Sequence, residues 1–151
     1  MICQTELGSF VNGPWMGHAL MMAGRLDEAM ALLRRVEAGA RRVELPFVEA
    51  LSQAFAAQVM QRMDDRKGAM GYAAAALAFH EAFPNPIIEL IARTALGRVD
   101  GSPEARGHLQ RAADLARMNG FGPWLLPLLD QLGEIEAADA LRREGARGGA
   151  D

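Results

Sequence analysis

Apolar residues recur three and four positions apart along most of the chain, and this spacing places side chains on one face of an α-helix. Three copies of the same face are in phase with one another: Ala29, Leu33 and Val36; Ala69, Ala73 and Ala76; and Ala105, Leu109 and Ala112. A weaker fourth copy, with Ala137 and Leu141, follows a predicted break at Leu132 and Gly133. The copies begin about 30 to 40 residues apart, a period typical of stacked helical hairpins.

Turn signals separate the helical segments. Gly24 suits the left-handed turn that follows a helix, and Asp64 and Asp65 are predicted to form a turn and to cap the next helix. Ser102 and Pro103 are predicted as the N-cap and the first residue of a later helix. Helices joined by such short links fold back on one another, so the pattern predicts antiparallel hairpins.

Length and composition favour one helical domain. The chain has 151 residues, of which 50% are hydrophobic and 6% aromatic. We expect an all-α fold of about seven or eight helices, with hairpins at roughly 9–42, 47–82 and 86–118. Residues 123–144 are predicted to form capping helices that close the open end of the core, and 145–151 to form a disordered tail. The run 73–79 is small and apolar all round, which predicts a helix that is buried on most sides.

Charge and cysteine content narrow the range of partners. The formal net charge is -3 and the pI is about 5.6, so no basic field predicts direct binding to nucleic acid. Cys3 is the single cysteine, which excludes an internal disulfide and a cysteine-based zinc site. No targeting signal is recognisable, and the uncharged stretch 7–24 contains Asn12, Pro14 and His18, which make it too polar for a membrane span. We therefore expect a cytoplasmic protein without a membrane partner.

The hairpin pattern resembles the tetratricopeptide (TPR) repeat, in which a small residue of the first helix packs against an alanine of the second. The corresponding pairs are Gly17 with Ala29 and Ala57 with Ala69, whereas Arg93 stands where the third small residue is expected. The resemblance covers about 15–113. The chain is also similar to the C-terminal repeat regions of large bacterial ATPase- and cyclase-linked transcriptional regulators, including the run 115–121. This resemblance implies a right-handed solenoid of antiparallel helical hairpins.

The resemblance also implies a function, that of a protein–protein interaction module which acts as a regulatory or sensor fragment of a signalling protein. The first helices of the hairpins would line a concave surface that holds a peptide or helix of the partner. The family's groove positions correspond to residues that we predict to bind this partner: His18, Met21 and Met22 in the first hairpin; Gln58, Gln61 and Arg62 in the second; and Thr94 and Arg98 in the third.

Two other functions are compatible with the sequence. A small-molecule effector sensor would need an apolar pocket between the hairpins, among Met22, Met60 and their neighbours. A small helical enzyme would need a buried histidine beside a carboxylate. The chain contains no P-loop, nucleophile elbow or H-E-x-x-H motif, and His18, His80 and His108 are far apart in the sequence. We therefore predict no catalytic residue, no metal and no cofactor.

Overall fold

Seven α-helices make up the described part of the chain, and no strand is present there. The computed structural model describes residues 4–99 and 103–148, with side chains at 11–99, 104–136, 140 and 143–145. The helices are α1 (Gln4–Met22), α2 (Leu26–Arg42), α3 (Pro46–Arg62), α4 (Arg66–Ala82), α5 (Pro86–Val99), α6 (Pro103–Asn119) and α7 (Gly122–Gly148). The prediction of an all-α fold is confirmed.

The third helix is the centre of the core. Each helix contacts the next one along the chain, and α3 also contacts α1 and α5. Because α3 packs against α1, α2, α4 and α5, apolar side chains on most of its surface leave water. Ala54, Phe55, Ala57 and Val59 are completely buried.

The alanine-rich run 73–79 lies on α4, and the prediction that this helix is buried on most sides is wrong. Only Ala69, Ala73 and Ala76 of α4 are buried, whereas Ala74 and Ala75 are exposed. Alanine is small enough to be tolerated on either face of a helix, so a run of alanines does not mark the buried face. The helix that is buried on most sides is α3.

The turns predicted at Gly24 and at Asp64 and Asp65 form where the sequence places them. Gly24 has a φ of 79°, the left-handed conformation expected after α1. Asp64 has a φ of 61°, and the carboxylate of Asp65 accepts a hydrogen bond of 2.8 Å from the backbone N–H of Gly68 in the first turn of α4. The predicted N-cap Ser102 lies outside the described residues, and α6 begins at Pro103.

Glycines allow the closest approaches between paired helices. Gly17 of α1 lies against the side chain of Leu33, one turn beyond the expected Ala29, and Gly97 of α5 lies against Leu109. The small residue at the contact between α5 and α6 is therefore Gly97, and not the residue at position 93. Arg93 points elsewhere, with its Nε 3.0 Å from a carboxylate oxygen of Glu89.

The last helix differs from the predicted pair of capping helices. It is one helix of 27 residues, and it continues through Gly148 into the segment predicted as a disordered tail. The expected break at Leu132 and Gly133 is absent, because one glycine costs a helix only about 1 kcal/mol and Leu132 is buried in the contact with α6. The side chains of Ala137 and Leu141 lie outside the described residues. At the other end of the chain, α1 begins at Gln4, before the expected start at 9.

The uncharged stretch 7–24 belongs mostly to α1, which contains Pro14. Across the described part of the chain, we find no helix with the length and apolar character that crossing a membrane requires.

The position of α4 predicts the cost of enlarging its buried face. Ala69→Leu is expected to lower the free energy of unfolding by about 1–3 kcal/mol, because the larger side chain must enter a filled space. Ala75→Leu, at an exposed position of the same helix, is expected to change it by less than about 0.5 kcal/mol. Urea titrations followed by circular dichroism measure both. Equal unfolding midpoints for the two variants would contradict the burial of Ala69.

A pair of glycine substitutions tests the contact between α5 and α6. A methyl group at Gly97 would collide with Leu109 and lie 3.1 Å from the carbonyl oxygen of Ala105, so Gly97→Ala is expected to destabilise the protein by about 1–3 kcal/mol. Gly107 of α6 faces open space, so Gly107→Ala should stabilise the protein by about 0.5–1 kcal/mol through helix propensity. Thermal unfolding should separate the two variants in opposite directions from the wild type, and shifts of the same sign would be inconsistent with this packing.

Candidate functional site

Seven of the eight residues that the sequence predicts for binding line one cavity of about 340 Å³. The exception is Gln61, which lines a smaller depression next to it, together with Asp64, Arg66, Arg98 and Val99. The residues that line the larger cavity, which we call the pocket, come from four helices: His18, Met21 and Met22 of α1; Gln58 and Arg62 of α3; Leu90, Thr94 and Arg98 of α5; and Pro123, Trp124, Pro127 and Leu128 of α7.

The order of the helices explains why these residues meet. Two chain reversals separate α1 from α3 and α3 from α5, so these three helices run in the same direction. They also lie side by side, and each contributes residues from its last turns to the pocket. The pocket therefore lies at the C-terminal ends of α1 and α3 and extends along α5 from Leu90 to Arg98.

The beginning of α7 forms the wall that the sequence did not predict. The ring of Trp124 lies 5.7 Å from that of His18 and 6.0 Å from that of Trp15, between ring centres, and 6.3 Å from that of Phe55. This aromatic cluster attaches α7 to α1 and α3. The two tryptophans of the chain contact each other here, but no local spacing in the sequence connects positions that are so far apart.

The side chains of two predicted binding residues are hydrogen-bonded to backbone carbonyl groups. The side-chain amide of Gln58 donates a hydrogen bond of 3.1 Å to the carbonyl oxygen of Ile91, and the hydroxyl of Thr94 donates one of 2.8 Å to that of Leu90. Both side chains are buried, where an unpaired polar group is costly. These hydrogen bonds fix the position of both side chains in the pocket. The other polar side chains that line the pocket are those of Arg62, Arg98 and His18.

The two arginines of the pocket have weak or neutral partners. The guanidinium of Arg62 is 3.5 Å from the carbonyl oxygen of Met21 and 3.6 Å from the sulfur of Met22, and Nε of Arg98 donates a hydrogen bond of 2.9 Å to Gln131. Among the described residues, neither arginine forms an ion pair with a carboxylate. Burial, and then the charge of Arg62, lower the pKa of Arg98, which nevertheless stays charged because an arginine guanidinium does not deprotonate in proteins.

His18 adds a polar atom that faces no partner. Its Nδ1 is buried without a hydrogen bond to any described residue. Burial, and then the nearby charge of Arg62, lower the pKa of His18, so its ring is neutral at pH 7. A neutral imidazole can donate or accept one further hydrogen bond at each nitrogen, and this one lines the pocket.

A second polar cluster lies away from the pocket, around the buried carboxylate of Glu89. Arg111 and Arg93 donate to one oxygen of this carboxylate at 2.8 and 3.0 Å. Nε2 of His80 lies 2.9 Å from the other oxygen. Nδ1 of His80 lies 2.9 Å from the backbone nitrogen and 3.1 Å from the carbonyl oxygen of Asn85, and these contacts orient Nε2 toward Glu89. His80 and Glu89 thus form a pair of the kind that the enzyme hypothesis requires, a histidine beside a carboxylate.

The environment of Glu89 suits a structural role better than a catalytic one. Burial alone would raise the pKa of Glu89, but hydrogen bonds from Arg111 and Arg93 outweigh it and lower this pKa. A carboxylate that is held ionised by several donors is a weak base. None of these residues lines the pocket, so the cluster connects α4, α5 and α6 without facing the cavity.

Comparison with protein-family models, with curated proteins and with solved structures finds no match for this chain. The tetratricopeptide resemblance therefore stays a prediction. Within the described residues, no three His, Cys, Asp or Glu side chains lie together as the ligands of a metal ion do.

The Glu89 cluster predicts a pH-dependent contribution to stability. Glu89→Gln is expected to lower the free energy of unfolding at pH 7 by about 1–3 kcal/mol, because Arg93 and Arg111 lose their counter-charge. A carboxylate whose pKa is lowered by folding stabilises the protein above its unfolded pKa and loses this effect as the pH falls. The difference between wild type and variant should therefore shrink below pH 4.5, the ordinary value for glutamate.

Urea titrations at pH 7 and at lower pH measure this difference. The matched control is Glu81→Gln, at an exposed position of α4, which should leave stability within about 0.5 kcal/mol of the wild type. A Glu89→Gln variant that is as stable as the control at pH 7 would contradict the cluster's structural role.

Proposed function

We propose that this protein is a non-catalytic binding module that senses a small-molecule effector in the pocket between α1, α3, α5 and α7. The observation that supports this proposal most directly is the position of α7. The first helices contribute the predicted groove residues, but Pro123, Trp124, Pro127 and Leu128 of α7 form a wall against them. The resemblance implied an open groove between the first helices. In our proposal, the wall formed by α7 narrows this groove to a pocket.

The size and lining of the pocket support a small ligand over a helix of a partner. The volume of about 340 Å³ falls at the lower end of the range of small-molecule sites, which is roughly 300–1,000 Å³. An α-helix with its side chains is about 10–12 Å across, and such a cavity cannot hold one. Met22 lines the pocket as the effector hypothesis requires, whereas Met60 does not and is buried in the core.

A protein partner is the second candidate, and the exposed apolar side chains of α7 favour it. Leu126 and Leu129 are exposed and three residues apart, which puts them on one face of the helix. Exposed apolar patches often mark interaction sites. According to this second candidate function, the partner binds the outer face of α7 and not the residues that line the pocket.

We further propose that the helix pairs form a short right-handed solenoid of the tetratricopeptide kind, within a regulatory or sensor protein. The order of the contacts supports this arrangement, because α1, α3 and α5 lie next to one another and each is followed by a helix that packs against it. The absence of catalysis is supported by the Glu89 cluster, whose carboxylate is occupied by arginines and lies away from the pocket.

The effector proposal is tested by methyl NMR with methionines labelled at the methyl carbon. Met21 and Met22 line the pocket, whereas Met16 and Met70 are exposed outside it. In a screen of small neutral and charged compounds, pocket ligands should shift the Met21 and Met22 signals and leave the other two unchanged. Met22→Trp should obstruct the pocket and weaken these ligands about tenfold or more, which corresponds to about 1.4 kcal/mol.

Met16→Trp is the matched control, since Met16 lies on the same helix and is 60% exposed, against 62% for Met22. It should leave the affinity of every compound unchanged. A screen in which no compound shifts Met21 or Met22 would overturn the effector proposal and leave the protein partner as the better candidate.

A further inference from the structure

The pocket is lined by positively charged side chains and by no carboxylate. The whole chain has a formal net charge of -3, yet the pocket is lined by Arg62 and Arg98 and by no aspartate or glutamate. Elsewhere in the described chain, several arginines are paired with carboxylates: Arg93 and Arg111 with Glu89, and Arg41 with Glu37 and Glu49. Arg62 and Arg98, in contrast, both line the pocket, and neither forms an ion pair with a described carboxylate.

The donors of these two arginines are available to a ligand. Arg98 uses only its Nε, which donates to Gln131, so its two terminal nitrogens have no partner among the described residues. The contact of Arg62 with the carbonyl oxygen of Met21 is long for a hydrogen bond at 3.5 Å, and its contact with Met22 is to a thioether sulfur, a weak acceptor. An arginine fork fits the two oxygens of a carboxylate or phosphate group, and such charged hydrogen bonds are stronger than neutral ones.

An anion would relieve a repulsion that the folded protein contains. Burial, and then the charge of Arg62, lower the pKa of Arg98. Both arginines line the pocket, so a negative charge between them would be attracted by both. Donors that the folded protein leaves without a strong partner gain most from a ligand that satisfies them.

The rest of the pocket is apolar, so the ligand needs an apolar part as well. Met21, Leu90 and Leu128 are almost completely buried, and the indole ring of Trp124 forms a flat wall beside them. Aliphatic and aromatic walls with a few polar groups at one place are typical of sites for amphiphilic small molecules.

The geometry points to a small organic anion as the ligand of this pocket, with a carboxylate or phosphate head between Arg62 and Arg98 and an apolar body against Trp124 and Leu128. This inference rests on the proposed function and names the chemical class of the effector. A free small molecule is favoured over the C-terminal carboxylate of a peptide, because α7 closes the groove along which a peptide would extend.

Matched acids and amides test the charge of the ligand. Octanoate, 4-phenylbutanoate and 2-naphthoate are each compared with their primary amides, and 4-phenylbutyl phosphate distinguishes a phosphate head from a carboxylate. Shifts of the Met21 and Met22 methyl signals give the affinities. At least one acid or phosphate should bind about tenfold tighter than its neutral counterpart, since hydrogen bonds to charged groups are the stronger ones.

Arginine variants test the position of the head group. Arg62→Met and Arg98→Met should each weaken the acid about tenfold and leave the amide unchanged, because only the charged head uses the guanidinium. Arg34→Met, at an exposed position of α2 outside the pocket, removes the same charge and should change neither affinity. Thermal unfolding of each variant confirms that it is folded.

The outcomes separate this inference from the proposed function. Amides that bind as tightly as their acids, or acids that bind Arg62→Met and Arg98→Met as tightly as the wild type, would overturn the inference while the effector proposal stands. If no acid or phosphate shifts Met21 or Met22, the inference fails, and the effector proposal then depends on the neutral compounds alone. A leucine–alanine pentapeptide with a free C-terminal carboxylate that binds much tighter than every small acid would overturn the assignment to a small molecule.

Discussion

The burial of α3 is the constraint on which the rest of the structure depends. Phe55 and its neighbours on this helix are removed from water by α1, α2, α4 and α5 together. Because the same helix contacts both α1 and α5, the ends of these three helices are fixed side by side. Phe55 also contacts Trp124, so the residue that centres the core is in contact with the helix that closes the pocket.

Two charged groups on α5 differ in whether the fold supplies an oppositely charged partner. Near the start of the helix, Glu89 is buried and satisfied by Arg93, Arg111 and His80. Near its end, Arg98 faces the pocket, and among the described residues its only partner is the neutral Gln131. A buried carboxylate requires partners. The guanidinium of Arg98 is only partly buried, so it keeps part of its hydration and needs no carboxylate partner.

Much of the local structure was predictable from the sequence. The turn at Gly24 and the cap at Asp65 follow from backbone preferences that act over a few residues. Seven of the eight groove residues that the resemblance implied line the pocket, because α3 contacts both α1 and α5. Two features were not predictable from the sequence: that Gly97 and not position 93 contacts α6, and that much of the alanine run of α4 is exposed. Neither the size nor the apolarity of a residue alone shows which face of a helix contacts a neighbour.

The sequence by itself determined most of the helices and the turns between them, since periodicity and capping are local properties of the chain. Only the tertiary structure decided that α7 is one uninterrupted helix and that Trp124 lies against His18 and Phe55. Contacts between residues so far apart depend on how complete surfaces fit, and no spacing encodes them. The same long-range packing left Arg62 and Arg98 together in a pocket without a carboxylate, and so determined the charge of the site.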